Sequence, residues 1–153
     1  MTPPHTVQQP MTSPASPDPA STARRWQPVS LGEDVPAPKG AYSRGIRAGD
    51  FLYVSGQVPL DPRTGQLVGG GDVTAQARQT LDNLRGVLEA GGATFADVVS
   101  VAVHLANIDD WGAFDAVYRQ TFTEPFPTRT VVGAELRGFL VEVTAVAYVG
   151  GRG

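Results

Sequence analysis

The chain has 153 residues, with 12 Lys and Arg against 15 Asp and Glu, a net charge of −3 and no cysteine. That length fits one ordinary domain, and the acidic balance excludes the basic footprint of a nucleic-acid binder. The missing thiols exclude disulfides, thiolate catalysis and thiolate metal sites.

Two imidazoles, His5 and His104, would leave a metal centre to draw nearly all its ligands from carboxylates, so no metal is expected. No apolar run is long enough to span a bilayer, and the first residues lack the basic and apolar regions of a secretory signal. A cytoplasmic protein with no membrane partner is the expectation. Residues 1–39 hold nine of the 13 prolines and one of the 18 glycines. A Pro/Ser/Thr/Ala segment of this kind buries too little apolar surface to offset chain entropy. It reads as a largely disordered extension, at least over 1–25, with Trp26 and Val29 as candidate anchors. The folded domain is expected over 40–153.

Within that domain, residues 42–47 and 51–58 read as two strands of a hairpin, joined by the tight turn Ala48-Gly49-Asp50. Asp61-Pro62-Arg63-Thr64-Gly65 is a second turn, and Gly69-Gly70-Gly71 leads into a helix over 73–90. Asp72 or Thr74 caps that helix and Gly91-Gly92 ends it; Ala77, Leu81, Leu84 and Leu88 form its buried face. Residues 98–105 make a third strand, with Val99, Val101, Val103 and Leu105 expected on one face. Asp109 or Asp110 caps a second helix through Phe122, striped by Phe114, Val117, Tyr118 and Phe122. Residues 128–133 and 140–149 are the last strands. The order β-β-α-β-α-β-β predicts an α+β fold, a mixed sheet with two helices on one face. The other face, bearing Tyr53, Val103 or their alternating neighbours, needs cover, and self-association supplies it most simply.

Two strand-like runs each spend one position on a charge, Arg129 in Phe126-Pro127-Thr128-Arg129-Thr130-Val131 and Glu142 in Leu140-Val141-Glu142-Val143-Thr144. A buried charge is costly without a partner or a ligand. An arginine fork grips a carboxylate and a nearby carboxylate handles protons, which suggests an enzyme for small acids. A plain ion pair tying two adjacent strands is the bland alternative. Tyr42 reads equally as packing or pocket. Gly56 marks a bulge or a close backbone approach. His104 reads as a satisfied core or interface residue, and the triple glycine lacks the lysine and spacing of a phosphate loop.

Taken in order, several segments resemble the RidA/YjgF family of enamine/imine deaminases. They are Gly40-Ala41-Tyr42-Ser43, Val54-Ser55-Gly56-Gln57-Val58-Pro59, Asp72-Val73-Thr74-Ala75-Gln76-Ala77-Arg78-Gln79-Thr80-Leu81-Asp82-Asn83-Leu84, Val117-Tyr118, Pro127-Thr128-Arg129-Thr130-Val131 and Val141-Glu142-Val143-Thr144-Ala145. The resemblance implies a chorismate-mutase-like fold, a homotrimer with ligand clefts between subunits, and no cofactor. It implies hydrolysis of 2-aminoacrylate or 2-iminobutyrate to the 2-keto acid and ammonia. On this resemblance Arg129 binds the substrate carboxylate, Glu142 is catalytic, Tyr42 lines the pocket, and the Ser55-Gly56 backbone borders the ligand.

The chain departs from the pattern at Ala41 (usually proline), Val131 (cysteine in some members), Asp115 (asparagine in many) and His104 (commonly aromatic). The link over 133–140 is shorter and lacks a Leu-Pro. Two alternatives therefore stay open: a member recruited to a pathway-specific imine or enamine step, and a non-catalytic trimer that binds small acids through Arg129.

Overall fold

The computed structural model describes residues 23–151; the expectations placed on 1–22, His5 among them, lie outside these. Six strands form one mixed sheet: β1 (Trp26–Pro28), β2 (Gly45–Ala48), β3 (Phe51–Gln57), β4 (Val98–Leu105), β5 (Thr128–Gly133) and β6 (Val141–Tyr148). They lie in the order β1-β2-β3-β6-β4-β5, antiparallel except for the parallel β4–β5 pair. Helices α1 (Val73–Ala90) and α2 (Trp111–Thr121) bury one face of the sheet. The expected order is borne out over 40–151 and gains a strand in front. Trp26–Pro28 pairs with β2, and Val29 donates to Gly45 O at 2.8 Å and packs on the core. The packed unit thus starts upstream of residue 40.

Local chemistry sets the ends of α1. Asp72 Oδ1 accepts from the Thr74 N–H at 3.0 Å, and Gly92 turns the chain at φ +82°, a conformation side chains resist. Ala77, Leu81, Leu84 and Leu88 are buried as their spacing predicts, in one core with Leu52, Val54, Val103 and Val143 of the sheet. Each such Leu or Val stabilises the fold by about 1.5–3 kcal/mol. The exposed Arg85–Asp82 ion pair on the same helix contributes about 1 kcal/mol or less, so the core decides stability.

Three expectations need correction. β2 starts at Gly45 rather than at residue 42, because the chain bends through 40–42 and leaves Tyr42 exposed. In β4, Val98 faces Ala147 and Ser100 faces Val146, so Val99 is an extra, bulged residue. The bulge shifts the alternation, exposing Val99 while Val98, Val101, Val103 and Leu105 are buried. Before α2, Asn107 caps a short 3₁₀ turn by accepting from the Asp109 N–H at 3.0 Å, and Asp110 makes no side-chain cap. On the open face, Tyr53 and Tyr148 flank Phe51, whose ring lies 5.4 Å from that of Tyr148. Val103 belongs to the helix face.

Candidate active site

β5 and β6, which carry Arg129 and Glu142, are not neighbours, because β4 runs between them. Arg129 aligns with Val101, and Glu142 aligns with His104, three residues further along β4. Strand side chains alternate, so an odd offset places the two on opposite faces of the sheet. Arg129 shares the helix face with Val101, and Glu142 shares the open face with His104. At about 4.8 Å per strand and 3.3 Å per residue, their Cα atoms are on the order of 14 Å apart. Within one chain they do not converge, and the simple ion pair between them is not made.

The Glu142 side is shaped by backbone. Val54 faces Ala145 and Gln57 faces Val143, so Ser55 and Gly56 bulge against the single residue between. Gly56 is required there: a Cβ would collide with the Glu142 carboxylate, lying 2.9 Å from Cδ and 3.1 Å from Cγ. Ser55 anchors the bulge, its hydroxyl donating to Ser43 O at 2.6 Å and its N–H to Arg44 O at 2.9 Å. Asn83 of α1 holds the next turn by donating to Val58 O and Leu60 O at 2.8 and 2.7 Å. Gly56 and Tyr42 line a cleft of about 810 Å³ bordered by residues 35–39 and 60–65. Ser55, Gly56 and Glu142 thus meet at the bulge, and Tyr42 shares the cleft with Gly56, whereas Ser55 and Glu142 do not line it. Glu142 makes no hydrogen bond or ion pair to another described residue.

The Arg129 side is shaped by charge. Arg129 sits on the sheet's edge strand, with its guanidinium carbon 4.6 Å from the ring centre of Tyr118 and 5.2 Å from that of Trp111. Its Nη1 donates to Asp115 Oδ1 at 2.8 Å, and Arg119 Nε donates to Asp115 Oδ2 at 2.8 Å. These donors, Arg119 first, hold the Asp115 carboxyl below its ordinary range. Burial pushes the Tyr118 phenol up to about 12, so it stays protonated, and its hydroxyl finds no partner among the described residues. Asp115, Tyr118, Arg119, Phe126, Pro127 and Arg129 line a pocket of about 290 Å³.

Sequence reading placed Trp111, Tyr118 and Arg119 in no site and noted Asp115 as a departure. Their helical spacing was the available signal: positions 111, 115, 118 and 119 share one face of α2. That this face meets Arg129 depends on strand order, which spacing does not reveal.

Residues 32–149 match the family described as Endoribonuclease L-PSP. A RutC family protein of Pyrococcus horikoshii is 41% identical over 122 residues, 78% of this chain and 96% of the relative. A 2-iminobutanoate/2-iminopropanoate deaminase of Capra hircus is 42% identical over 118 residues, 76% of this chain and 85% of the relative. The crystal structure of the E. coli YjgF gene product matches with a TM-score of 0.71 at 34% identity, covering 80% of this chain and 98% of that one. The chain belongs to this family, which is that of the YjgF and RidA proteins.

Proposed function

We propose that the chain hydrolyses small 2-imino and 2-enamino acids, of the 2-iminobutyrate and 2-aminoacrylate class, to 2-keto acids and ammonia. One observation carries this: the two half-sites are complementary, an arginine clamped at one end and a carboxylate with no partner among the described residues. Mammalian relatives named 2-iminobutanoate/2-iminopropanoate deaminase support the substrate class. The family's description points to RNA cleavage, but a net charge of −3 works against a polyanionic substrate.

The chemistry asks little of the protein. An imine carbon is already electrophilic; water adds to it, and the nitrogen takes up protons and leaves as ammonia while the carbonyl forms. Arg129 holds the substrate carboxylate and fixes the carbon near a water. Glu142 takes a proton from that water and delivers it to the nitrogen. The backbone N–H near Gly56 supports the tetrahedral intermediate, and Tyr42 shapes the pocket. No cofactor enters these steps.

Because the half-sites diverge within a chain, Arg129 of one copy must meet Glu142 of another. A homotrimer with its open sheet faces turned inward would supply that meeting and would cover Tyr53 and Tyr148. The test is release of ammonia and keto acid from 2-iminobutyrate generated in situ by a threonine dehydratase. Acceleration by the wild type that collapses in Arg129→Ala and Glu142→Gln is expected. A wild-type rate equal to uncatalysed hydrolysis would overturn the proposal.

A further inference from the structure

Asp115 is the departure that places a charge on the arginine. Its side chain is 13% exposed and that of Arg129 19%, whereas Arg119 is 64% exposed. The half-buried pair is thus the firmer contact, and Arg119 is its solvent-facing brace. A guanidinium offers a carboxylate two edges, an end formed by Nη1 and Nη2 and a side formed by Nε and Nη2. Asp115 occupies Nη1 at the end. Nε and Nη2 donate to no other described residue, and Arg129 lines the pocket of about 290 Å³. With Tyr118 and Trp111 against it, the guanidinium is fixed in plane as well as in direction.

Resting on the role proposed above for Arg129, we propose that Asp115 is a positioning residue that presents the Nε–Nη2 edge to the substrate and restricts the site to acids with one negative charge. Two arginines against one aspartate carry one net positive charge, and the Glu124 carboxylate, which also acts on Arg119, reduces it further, so the cluster balances at most a single ligand carboxylate. A second carboxylate on the ligand would meet the Asp115 carboxylate at short range in a partly desolvated pocket, where like charges repel strongly. Asparagine at this position keeps an acceptor for Nη1 and removes that repulsion. Alanine removes both the acceptor and the charge, freeing the guanidinium to swing.

The experiment is calorimetric titration of the full chain with 2-oxobutyrate (one carboxylate) and 2-oxoglutarate (two), using wild type, Asp115→Asn, Asp115→Ala and Arg129→Ala. The wild type is expected to bind 2-oxobutyrate at least ~tenfold more tightly than 2-oxoglutarate. Asp115→Asn should hold 2-oxobutyrate within ~threefold and gain ~tenfold for 2-oxoglutarate, erasing the preference. Asp115→Ala should lose ~tenfold for 2-oxobutyrate. An unchanged preference in Asp115→Asn overturns the charge role, and wild-type affinity in Asp115→Ala overturns the positioning role. Should Asp115→Ala fail to fold, the selectivity of Asp115→Asn decides alone, since a merely structural residue would not move it. If Arg129→Ala binds both acids as the wild type does, the assignment of Arg129 itself fails.

Discussion

The two halves of the candidate site rest on different physics. Around Arg129, on an edge strand, two guanidiniums, a carboxylate and two rings hold one another by charge and stacking. Around Glu142, in mid-sheet, the arrangement is steric: a bulge, and a glycine whose missing side chain makes room for the carboxylate. Under the proposed function the difference separates two tasks. A pre-formed cation anchors a substrate without moving, whereas a general base needs a carboxylate whose oxygens are not already occupied.

The comparison breaks most visibly at Glu142. Glu142→Gln should lower kcat by ~10²–10⁴ while 2-oxobutyrate binding stays near wild type, read by steady-state kinetics beside calorimetry. An equal loss of binding would mean that the steric half also anchors the acid. Arg129→Ala should lower kcat/KM by roughly tenfold to a hundredfold, mainly through KM, and Arg129→Lys should recover part of it, since lysine restores charge without the fork. Gly56→Ala should drive Glu142 aside, lower kcat with KM held, and cost about 1–3 kcal/mol in denaturant unfolding. Leu84→Ala is its contrast: a core truncation costing about 2–5 kcal/mol with KM unchanged.

The smallest expected effect is a pH dependence confined to the charged half. The Asp115 carboxyl is held below its ordinary 3.8 by Arg119 and Arg129, so the folded state binds its proton less readily than the unfolded chain. The stabilisation is fully present above pH 3.8 and is lost as pH falls through the lowered value. Asp115→Asn should therefore flatten the fall in melting temperature below about pH 4 and leave the slope above it unchanged. A wild-type acid limb in that variant would place the titration elsewhere.

How much was legible in the sequence follows the range of the interactions. Helix α1 was readable in its bounds and in its stripe at 77, 81, 84 and 88, which are local signals, with the cap narrowed to Asp72 or Thr74 and decided for Asp72 by the structure. The bulge at Val99 was not, because Val98 and Val99 are both valine and either could face the core. β1 was hidden by its length and by Pro28, in a segment whose composition reads as unfolded. Arg129 and Glu142 stood out as charges in apolar strands, yet their separation depends on β4 inserting between β5 and β6. That is a long-range pairing decision. The contact of Asp115 with Arg129 was invisible for the same reason, although Asp115 itself stood out as a change of charge.

The shared site is tested most directly by subunit mixing. Arg129→Ala and Glu142→Gln chains would be co-expressed with different affinity tags, and assemblies carrying both tags purified and assayed with 2-iminobutyrate. In a ring of three holding both variants, one interface joins an intact Arg129 to an intact Glu142, so about a third of the wild-type activity should return. Activity no higher than that of either variant alone would contradict a site built from two copies of this chain.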